Sequence, residues 1–286
     1  MGIFTKSNKL KEPEFYSSAT NMQTLNYNVY YMKSKEKLFY FFIAFIVGVF
    51  VGYLFYGGIG KDEFGQPTTL THTLDLLISC TVGIIAGIMF IPIRTNQIIA
   101  KRKKTLNSQF RDMLEAFTIS LGAGKNVVDS FTAINEDLKI QYESDAYIIK
   151  ELEIVISGIH NNVAVEDLLF DFGTRSSSDD IKSFANVFKI SYRKGGNLKE
   201  IIRNTHEILS DKMEIREDLE TIVTSNKTEQ NIMVIMPIAL IGVIKIMSPE
   251  FAGNFVKSTG IIATTIAIIT FIIAFYVGRK ILDIKL

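Results

Sequence analysis

Two short motifs contain residue types that bind phosphate or metal in other proteins. Gly124-Lys125 matches the end of a phosphate-binding loop, but Ile119 stands where the first glycine is required and Asn126 replaces the serine or threonine that contacts Mg²⁺. His206-Glu207 begins a zinc-protease pattern, yet Ser210 occupies the place of the second histidine. Neither motif therefore predicts nucleotide hydrolysis or zinc catalysis.

The other side chains that commonly bind metals are few and scattered. Cys80 is the only cysteine, which excludes an intramolecular disulfide and a cysteine-rich zinc site. His72, His160 and His206 lie in different segments, and we interpret each as an ordinary polar residue. We therefore predict that the protein is not an enzyme, holds no metal or cofactor, and takes any energy it uses from a partner.

The distribution of charged residues along the chain indicates a membrane protein. The sequence has 286 residues, of which 48% are hydrophobic and 21% are charged, and its mean hydropathy is +0.22. The charged residues are crowded between four stretches that nearly lack them, as expected for transmembrane helices. The net charge of +1 gives no electrostatic reason to expect a nucleic-acid partner, so we predict none. The apolar stretches predict the lipid bilayer as a partner.

Four apolar stretches are long enough to cross a bilayer, since about 20 helical residues span its hydrocarbon core of about 30 Å. They are Leu38 to Gly60, Leu76 to Ile93, Ile232 to Met247, and Gly260 to Val277. The third is the weakest because it contains Pro237 and Lys245. Lys245 lies near the end of its stretch, where we expect the side chain to snorkel to the interface.

Lysine and arginine flank these stretches asymmetrically. Basic residues precede the first stretch and follow the second and the fourth: Lys33, Lys35, Lys37, Arg94, Lys101, Arg102, Lys103, Lys104, Arg279, Lys280 and Lys285. The links 61–73 and 248–259 are poor in basic residues. Because basic flanks stay on the cytoplasmic side, we predict a multi-pass protein of the cytoplasmic (inner) membrane with both termini and the central domain in the cytoplasm.

This topology divides the chain into five predicted parts. They are a cytoplasmic N-terminal tail (1–37), a first transmembrane hairpin (38–93), a cytoplasmic helical domain (94–230), a second transmembrane hairpin (231–278) and a cytoplasmic C-terminal tail (279–286). Within the first hairpin, two small-xxx-small patterns are formed by Gly48 with Gly52 and by Gly83 with Gly87. They predict close helix packing, although glycine is also common in membrane helices without such a role.

Apolar residues in the central domain recur at helical spacing, and strand-like alternation is rare. The pattern predicts six helices: one ending at Gly122 or Gly124, four around 128–134, 148–159, 165–172 and 179–195, and one beginning at the N-cap Asn197. The sixth leads into the third predicted span, either as a stiff lever that carries movement to the bilayer or as a simple support of the bundle. The predicted fold class is all-α, a polytopic membrane protein with about four transmembrane helices and a cytoplasmic six-helix bundle.

Three turns in this domain share a local pattern. Each joins a turn residue to a helix start with an acidic residue in its first turn: Gly124 to Phe131, Asn161 to Leu168, and Gly196 to Ile202. The repetition predicts a bundle assembled from helical hairpins.

Four passages resemble the type II secretion F-protein family, and especially the TadB-like platform proteins of tight-adherence (Flp-type IV) pili. They are Gln109 to Phe131 with the glycine turn at Gly124; Gly158 to Leu169; Tyr192 to Ile202 with Gly195, Gly196, Asn197 and Leu198; and the C-terminal part with Pro237, Pro249, Glu250 and Arg279-Lys280. Tyr192 to Ile202 is the most specific of the four. The sequence departs from the family at Ser248, where asparagine is usual, and at Asn161-Asn162, which replaces a glycine-containing turn.

The resemblance implies a non-enzymatic platform that couples a cytoplasmic secretion ATPase to pilin assembly, in a type IV or Tad-like pilus or a type II-like secretion machine. The implied partners are a TadA-like ATPase, a TadC-like second F-type platform protein, and a pilin or pseudopilin, in a homo- or hetero-oligomer. The charged residues predicted to dock the ATPase are Lys101, Arg102, Lys103, Lys104, Glu214, Glu217, Asp218 and Glu220. The alternative is that they form a solvated face or, for the basic run, only the topology signal.

Two other classes of protein remain open on sequence alone. A membrane signal transducer would use the helical domain as a relay, but the sequence shows neither an output module nor a sizeable outer sensor domain. A small transporter or intramembrane enzyme would need polar groups at mid-membrane depth. The apolar stretches offer few: Tyr53, Ser79, Thr81, Pro237 and some threonines.

Overall fold

A computed structural model describes residues 12–18, 20, 22–60, 66–195 and 197–282. The chain divides into two compact units, each described here over these residues. We call Met1–Tyr31 with Thr95–Met213 the helical unit, and Met32–Arg94 with Glu214–Leu286 the apolar unit. Over the described residues the protein is 82% helical, which confirms the predicted all-α class.

Two short strands and nine helices follow one another over the described ranges. In chain order they are β1 (Phe15–Ser17), β2 (Gln23–Leu25), α1 (Ser34–Tyr56), α2 (Thr69–Gly122), α3 (Val127–Gln141), α4 (Tyr147–His160), α5 (Val165–Ser176), α6 (Asp179–Lys194), α7 (Leu198–Met247), α8 (Pro249–Val256) and α9 (Ser258–Leu282). Helices α2 and α7 each contribute residues to both units.

Within the part of the chain that the structure describes, four helices are long and apolar enough to cross a membrane. They are α1, α2, α7 and α9, which confirms the predicted number of candidate spans. α1 ends at Tyr56, before the predicted limit at Gly60. The reason is the glycine-rich turn that follows, in which Gly58 and Gly60 have φ of 96° and 85°. Such left-handed backbone is favourable for glycine and ends the helix even though the stretch remains apolar.

The link between the third and fourth spans contains a helix that the sequence analysis did not predict. α8 begins at Pro249, and Glu250 also lies within it. Proline fits the first turn of a helix because the missing N–H has no intrahelical partner there. The same proline looks like a helix breaker when the sequence is read from α7 onward, which explains the omission.

One apolar core lies at the centre of the helical unit. From α2 it includes residues at helical spacing that are at most 1% exposed: Leu106, Phe110, Met113, Leu114 and Phe117. The helices α3 to α7 add Phe131, Ile134, Leu138, Ile148, Ile149, Leu152, Val155, Val165, Leu168, Leu169, Phe172, Ile181, Phe184, Ala185, Phe188, Ile202 and Leu209. Since each large apolar side chain contributes about 1.5–3 kcal/mol when buried, the amphipathic period of these segments accounts for their association.

The helix ends follow from side chains that satisfy backbone groups. Asn126 caps α3 by accepting the N–H of Asp129 at 2.8 Å, and Ser178 caps α6. Asn197 accepts the N–H of Glu200 at 3.3 Å, which confirms the predicted N-cap of α7. α2 ends at Gly122, also as predicted.

The three repeated turns share one backbone geometry. Gly124, Asn162 and Gly195 have φ of 85°, 59° and 69°, and each stands two positions before the N-cap of the next helix. At the first two turns the following N–H bonds back to the preceding helix, from Lys125 to Ser120 and from Val163 to Gly158. The sequence echo therefore corresponds to a repeated helix end.

Part of the predicted N-terminal tail is folded onto the helical unit. We call residues 12–18, 20 and 22–31 the N-terminal strap. β1 and β2 form an antiparallel hairpin in register Phe15 to Leu25. After the hairpin, Tyr27 is only 1% exposed and belongs to the apolar core.

Candidate functional site

The predicted basic docking residues lie on α2, where two of the four contact the N-terminal strap. Lys101 and Lys104 are exposed, whereas Arg102 and Lys103 are partly buried. The Arg102 guanidinium carbon lies 4.4 Å from the centroid of the Tyr30 ring. Lys103 Nζ donates to Asn28 Oδ1 at 2.6 Å. The strap thus covers the middle of the basic run with an aromatic face and an amide oxygen.

Arg102 is incompletely satisfied in this arrangement. Its Nη1 atom is buried and has no hydrogen-bond partner among the described residues. A buried donor without an acceptor costs about 1–3 kcal/mol, and a charged donor costs more. The cation–π contact with Tyr30 supplies attraction but no acceptor oxygen. The covered Arg102 therefore retains capacity to bind a carboxylate or phosphate.

The predicted acidic docking residues occupy a different unit. Glu214, Glu217, Asp218 and Glu220 are exposed along α7 and fall in the apolar unit, whereas Lys101, Arg102, Lys103 and Lys104 fall in the helical unit. The acidic and the basic docking residues therefore do not belong to one unit.

A buried polar network fastens the strap to the helices. Tyr27 Oη donates to Glu151 Oε1 at 2.9 Å. Arg175 binds both carboxylate oxygens of Glu151, at 3.1 and 2.8 Å, and its Nε donates to Asp171 at 2.8 Å. Glu151 and Arg175 are 3% and 6% exposed. Bidentate geometry and the extra partners offset the desolvation of this charged pair.

Burial and neighbouring charges shift the pKa of two groups in this network, Tyr27 and Arg175. Burial, with the adjacent Glu151 carboxylate, raises the pKa of Tyr27 well above its ordinary value. Burial alone would lower the pKa of Arg175, but Glu151 and Asp171 outweigh it and raise that pKa. Tyr27 is therefore a neutral donor and Arg175 a permanent cation.

The sequence did not predict this network. Glu151 is an acid on the buried face of α4, and Asp171 and Arg175 form an i, i+4 pair on α5. Each is an isolated signal that is common on solvated helices. The one indication of a buried partner was that Glu151 interrupts the apolar face of α4.

A cleft of about 380 Å³ remains beside the strap. It is lined by Glu12, Tyr16, Ser17, Asn26 and Asn28 of the strap and by Asp171, Thr174, Arg175 and Ser177. The strap therefore contacts the helices only in places, and open space remains between it and the end of α5.

Most of the described residues of the family-like motifs lie at turns and helix ends. Gly124 and Gly195 have positive φ, and Leu198 packs against the core. Pro237 lies inside α7, whereas Gly196 falls outside the described residues. Asn197 is the N-cap of α7, and Pro249 and Glu250 lie in the first turn of α8.

The four predicted packing glycines lie where α1 crosses α2. A Cβ added to Gly48 would stand 2.8 Å from Gly83 Cα, and one on Gly52 would stand 3.1 Å from Ser79 Cα. A Cβ on Gly83 would meet Val49 and Phe45, and one on Gly87 would meet the ring of Phe41. The two helix backbones therefore approach closely enough to require glycine.

Within the described residues, no group of three or more His, Cys, Asp or Glu side chains could hold a metal ion. Comparison of the chain with family models, curated proteins and solved structures gives no match.

Proposed function

We propose that the chain is a non-enzymatic platform protein of the cytoplasmic membrane in a type IV or Tad-like pilus or a type II-like secretion machine. The observation that supports this proposal most is that α2 and α7, which carry candidate spans, continue without a break into the helical unit. A machine that moves subunits out of a bilayer needs such a covalent path between a motor and the lipid.

The proposed orientation places the helical unit in the cytoplasm. Basic residues flank the candidate spans on the side that the positive-inside rule assigns to the cytoplasm, beginning with Lys33, Lys35 and Lys37. In this orientation the helical unit is the six-helix bundle of the F-type family. Its surface is available to a cytoplasmic secretion ATPase of the TadA-like class.

The proposed mechanism is mechanical coupling. The ATPase moves the helical unit, and α2 and α7 transmit that movement to the spans, where pilin subunits and a TadC-like second platform protein are held. No chemical step is assigned to this chain, because energy enters with the ATPase.

Affinity purification of the tagged full chain from gently solubilised membranes, followed by mass spectrometry, tests the proposal. We expect recovery of a secretion ATPase, a second F-type protein and a pilin. Recovery of a kinase with no secretion component would favour the signal-transducer class, and substrate-dependent flux in liposomes would favour a transporter. Deleting the gene should leave pilin in the membrane without surface filaments.

A charge variant makes this test specific for the docking surface. Lys101→Glu reverses an exposed charge of the basic run and should lower ATPase recovery by about fivefold, given about 1 kcal/mol for an exposed ion pair. Lys150→Glu reverses an exposed charge on α4 and should leave recovery unchanged. Equal effects of the two variants would count against docking at the basic run.

A further inference from the structure

We propose that the N-terminal strap is a displaceable cover over Arg102 and Lys103, and that an acidic segment of a partner protein competes with it for these two residues. This cover goes beyond the proposed function. It depends on the proposed function only if the partner protein is the secretion ATPase. It is carried by the contacts between the strap and α2.

The strap offers Arg102 and Lys103 only uncharged partners, an aromatic ring and an amide oxygen. Lys103 binds a neutral amide oxygen of Asn28, and Arg102 faces the ring of Tyr30 while its buried Nη1 has no described hydrogen-bond partner. A carboxylate forms stronger hydrogen bonds with both side chains than a neutral amide or a ring does. An acidic segment would therefore satisfy the donor that the strap leaves without an acceptor.

Opening the strap removes one large side chain, that of Tyr27, from the apolar core. Its deep apolar contacts are few: the Tyr27 ring lies edge-on to Tyr147 at 5.6 Å, Leu25 packs at the rim of the core, and Thr20 lies against Gly158. The adjoining cleft of about 380 Å³ is already open. Segments with few buried contacts are those that open locally at a free energy well below that of global unfolding.

The helices beneath the strap keep their polar partners when it leaves. Glu151 loses only the Tyr27 hydroxyl and retains both bonds to Arg175, which also retains Asp171. Because the Glu151–Arg175 ion pair remains intact, release of the strap leaves no buried charge without a partner. Among the described residues, the Tyr27 hydroxyl makes the one hydrogen bond between the strap and the buried ion pair. We call this group the latch hydroxyl.

Hydrogen exchange of the full chain in nanodiscs of zwitterionic lipid tests the cover. Tyr27→Phe removes the latch hydroxyl and keeps the ring, so exchange across residues 22–31 should accelerate about tenfold while α4 and α5 are unchanged. Tyr16→Phe is the matched control, because its hydroxyl makes no hydrogen bond to the described residues. Equal exchange of the strap and α4 in all variants would overturn the proposal.

Binding of a fluorescent decaglutamate peptide tests the competition. The peptide should bind Tyr27→Phe about tenfold more tightly than the natural chain, and Arg102→Gln with Lys103→Gln should abolish the gain. The natural chain's strap should also exchange faster when peptide is present.

Two results would overturn the competition. One is equal peptide affinity of the natural chain and Tyr27→Phe despite faster strap exchange. The other is strap opening by anionic lipid in the nanodisc without any peptide, which would assign Arg102 and Lys103 to the membrane. Neither readout uses a secretion ATPase, so failure here is distinguishable from failure of the proposed function.

Discussion

Lys245 and Asp75 contact one peptide group from opposite sides. Lys245 Nζ lies 3.5 Å from the carbonyl oxygen of Gly57, and the N–H of Gly58 donates to Asp75 Oδ1 at 2.8 Å. These two backbone atoms belong to the same planar peptide unit, so its dipole lies between an ammonium and a carboxylate. The contacts join α7, α2 and the turn after α1 within the apolar unit. They give Lys245 a polar partner inside the unit, where the sequence suggested only snorkelling.

We expect Lys245→Met to lower the free energy of unfolding of the detergent-solubilised protein by about 1 kcal/mol. A hydrogen bond to a charged group contributes about 1.5–3 kcal/mol, and a contact at 3.5 Å lies at the weak end of hydrogen-bond geometry. The measurement is a double-mutant cycle with Asp75→Asn, which should show coupling of about 0.5 kcal/mol or more. Lys257→Met, at an exposed position, is the control. Strict additivity would mean that the shared peptide couples nothing.

Gly83→Ala should destabilise the apolar unit by about 1–3 kcal/mol, the usual range for overpacking. The new Cβ would stand 2.7 Å from Val49 Cγ2 and 2.9 Å from the carbonyl oxygen of Phe45. A side chain can turn away, but the carbonyl belongs to helix backbone, so α1 must shift. The measurement is the midpoint of denaturation in mixed micelles.

Gly242→Ala is the control for that variant, since its Cβ would meet only Leu54 at 3.4 Å, an ordinary contact. We expect it to be neutral or stabilising, because alanine is a better helix former than glycine. If both variants behaved alike, the α1–α2 crossing would be looser than described.

The predictable part of this fold is the part with a strong repeating signal. Leu106, Phe110 and Phe117 mark a face at helical spacing, and that face is the buried one. The Gly122 and Asn197 helix boundaries follow from local chemistry that the sequence displays directly. The four candidate spans are equally local, since length and apolar composition suffice.

The candidate site was not predictable because its pieces are distant in sequence. Tyr27 and Glu151 are 124 positions apart, and neither carries a motif. The two strands that precede Tyr27 have three residues each, which is too short for the alternation of apolar and polar residues to be recognised. Arg102 and Lys103 were predicted as docking charges from their sign, but which of the basic residues a cover would shield depends on tertiary contacts.

Stability should fall as the pH rises above about 10, owing to two tyrosines. Burial and the hydrogen bond to Asp112 raise the pKa of Tyr142 to about 12, and burial with Glu151 raises the pKa of Tyr27 well above its ordinary value of 10.0. Above pH 10 the unfolded chain releases these protons while the folded chain keeps them, so alkali favours unfolding. The contribution of Tyr142 is complete below pH 10 and is lost as the pH rises toward 12.

Unfolding free energies measured from pH 8 to 12 check this assignment. Tyr142→Phe should flatten the decline between pH 10 and 12, because phenylalanine has no proton to release. Tyr192→Phe is the control, since that ring is 37% exposed, and it should leave the slope unchanged. A slope that Tyr142→Phe does not alter would show that the hydroxyl of Tyr142 is not held by Asp112.

Gly195→Ala isolates the backbone requirement of the repeated turn. Among the described residues, a Cβ at Gly195 would meet nothing within 4 Å, so its φ of 69° is what opposes alanine. We expect a loss of about 1–2 kcal/mol in the free energy of unfolding, the penalty of left-handed backbone for a residue with a side chain. Gly124→Ala, with φ of 85° and equally open surroundings, should behave alike. Gly253→Ala has the same open space but lies inside α8, so it should be stabilising by about 0.5–1 kcal/mol. An equal response of all three would contradict a shared left-handed turn.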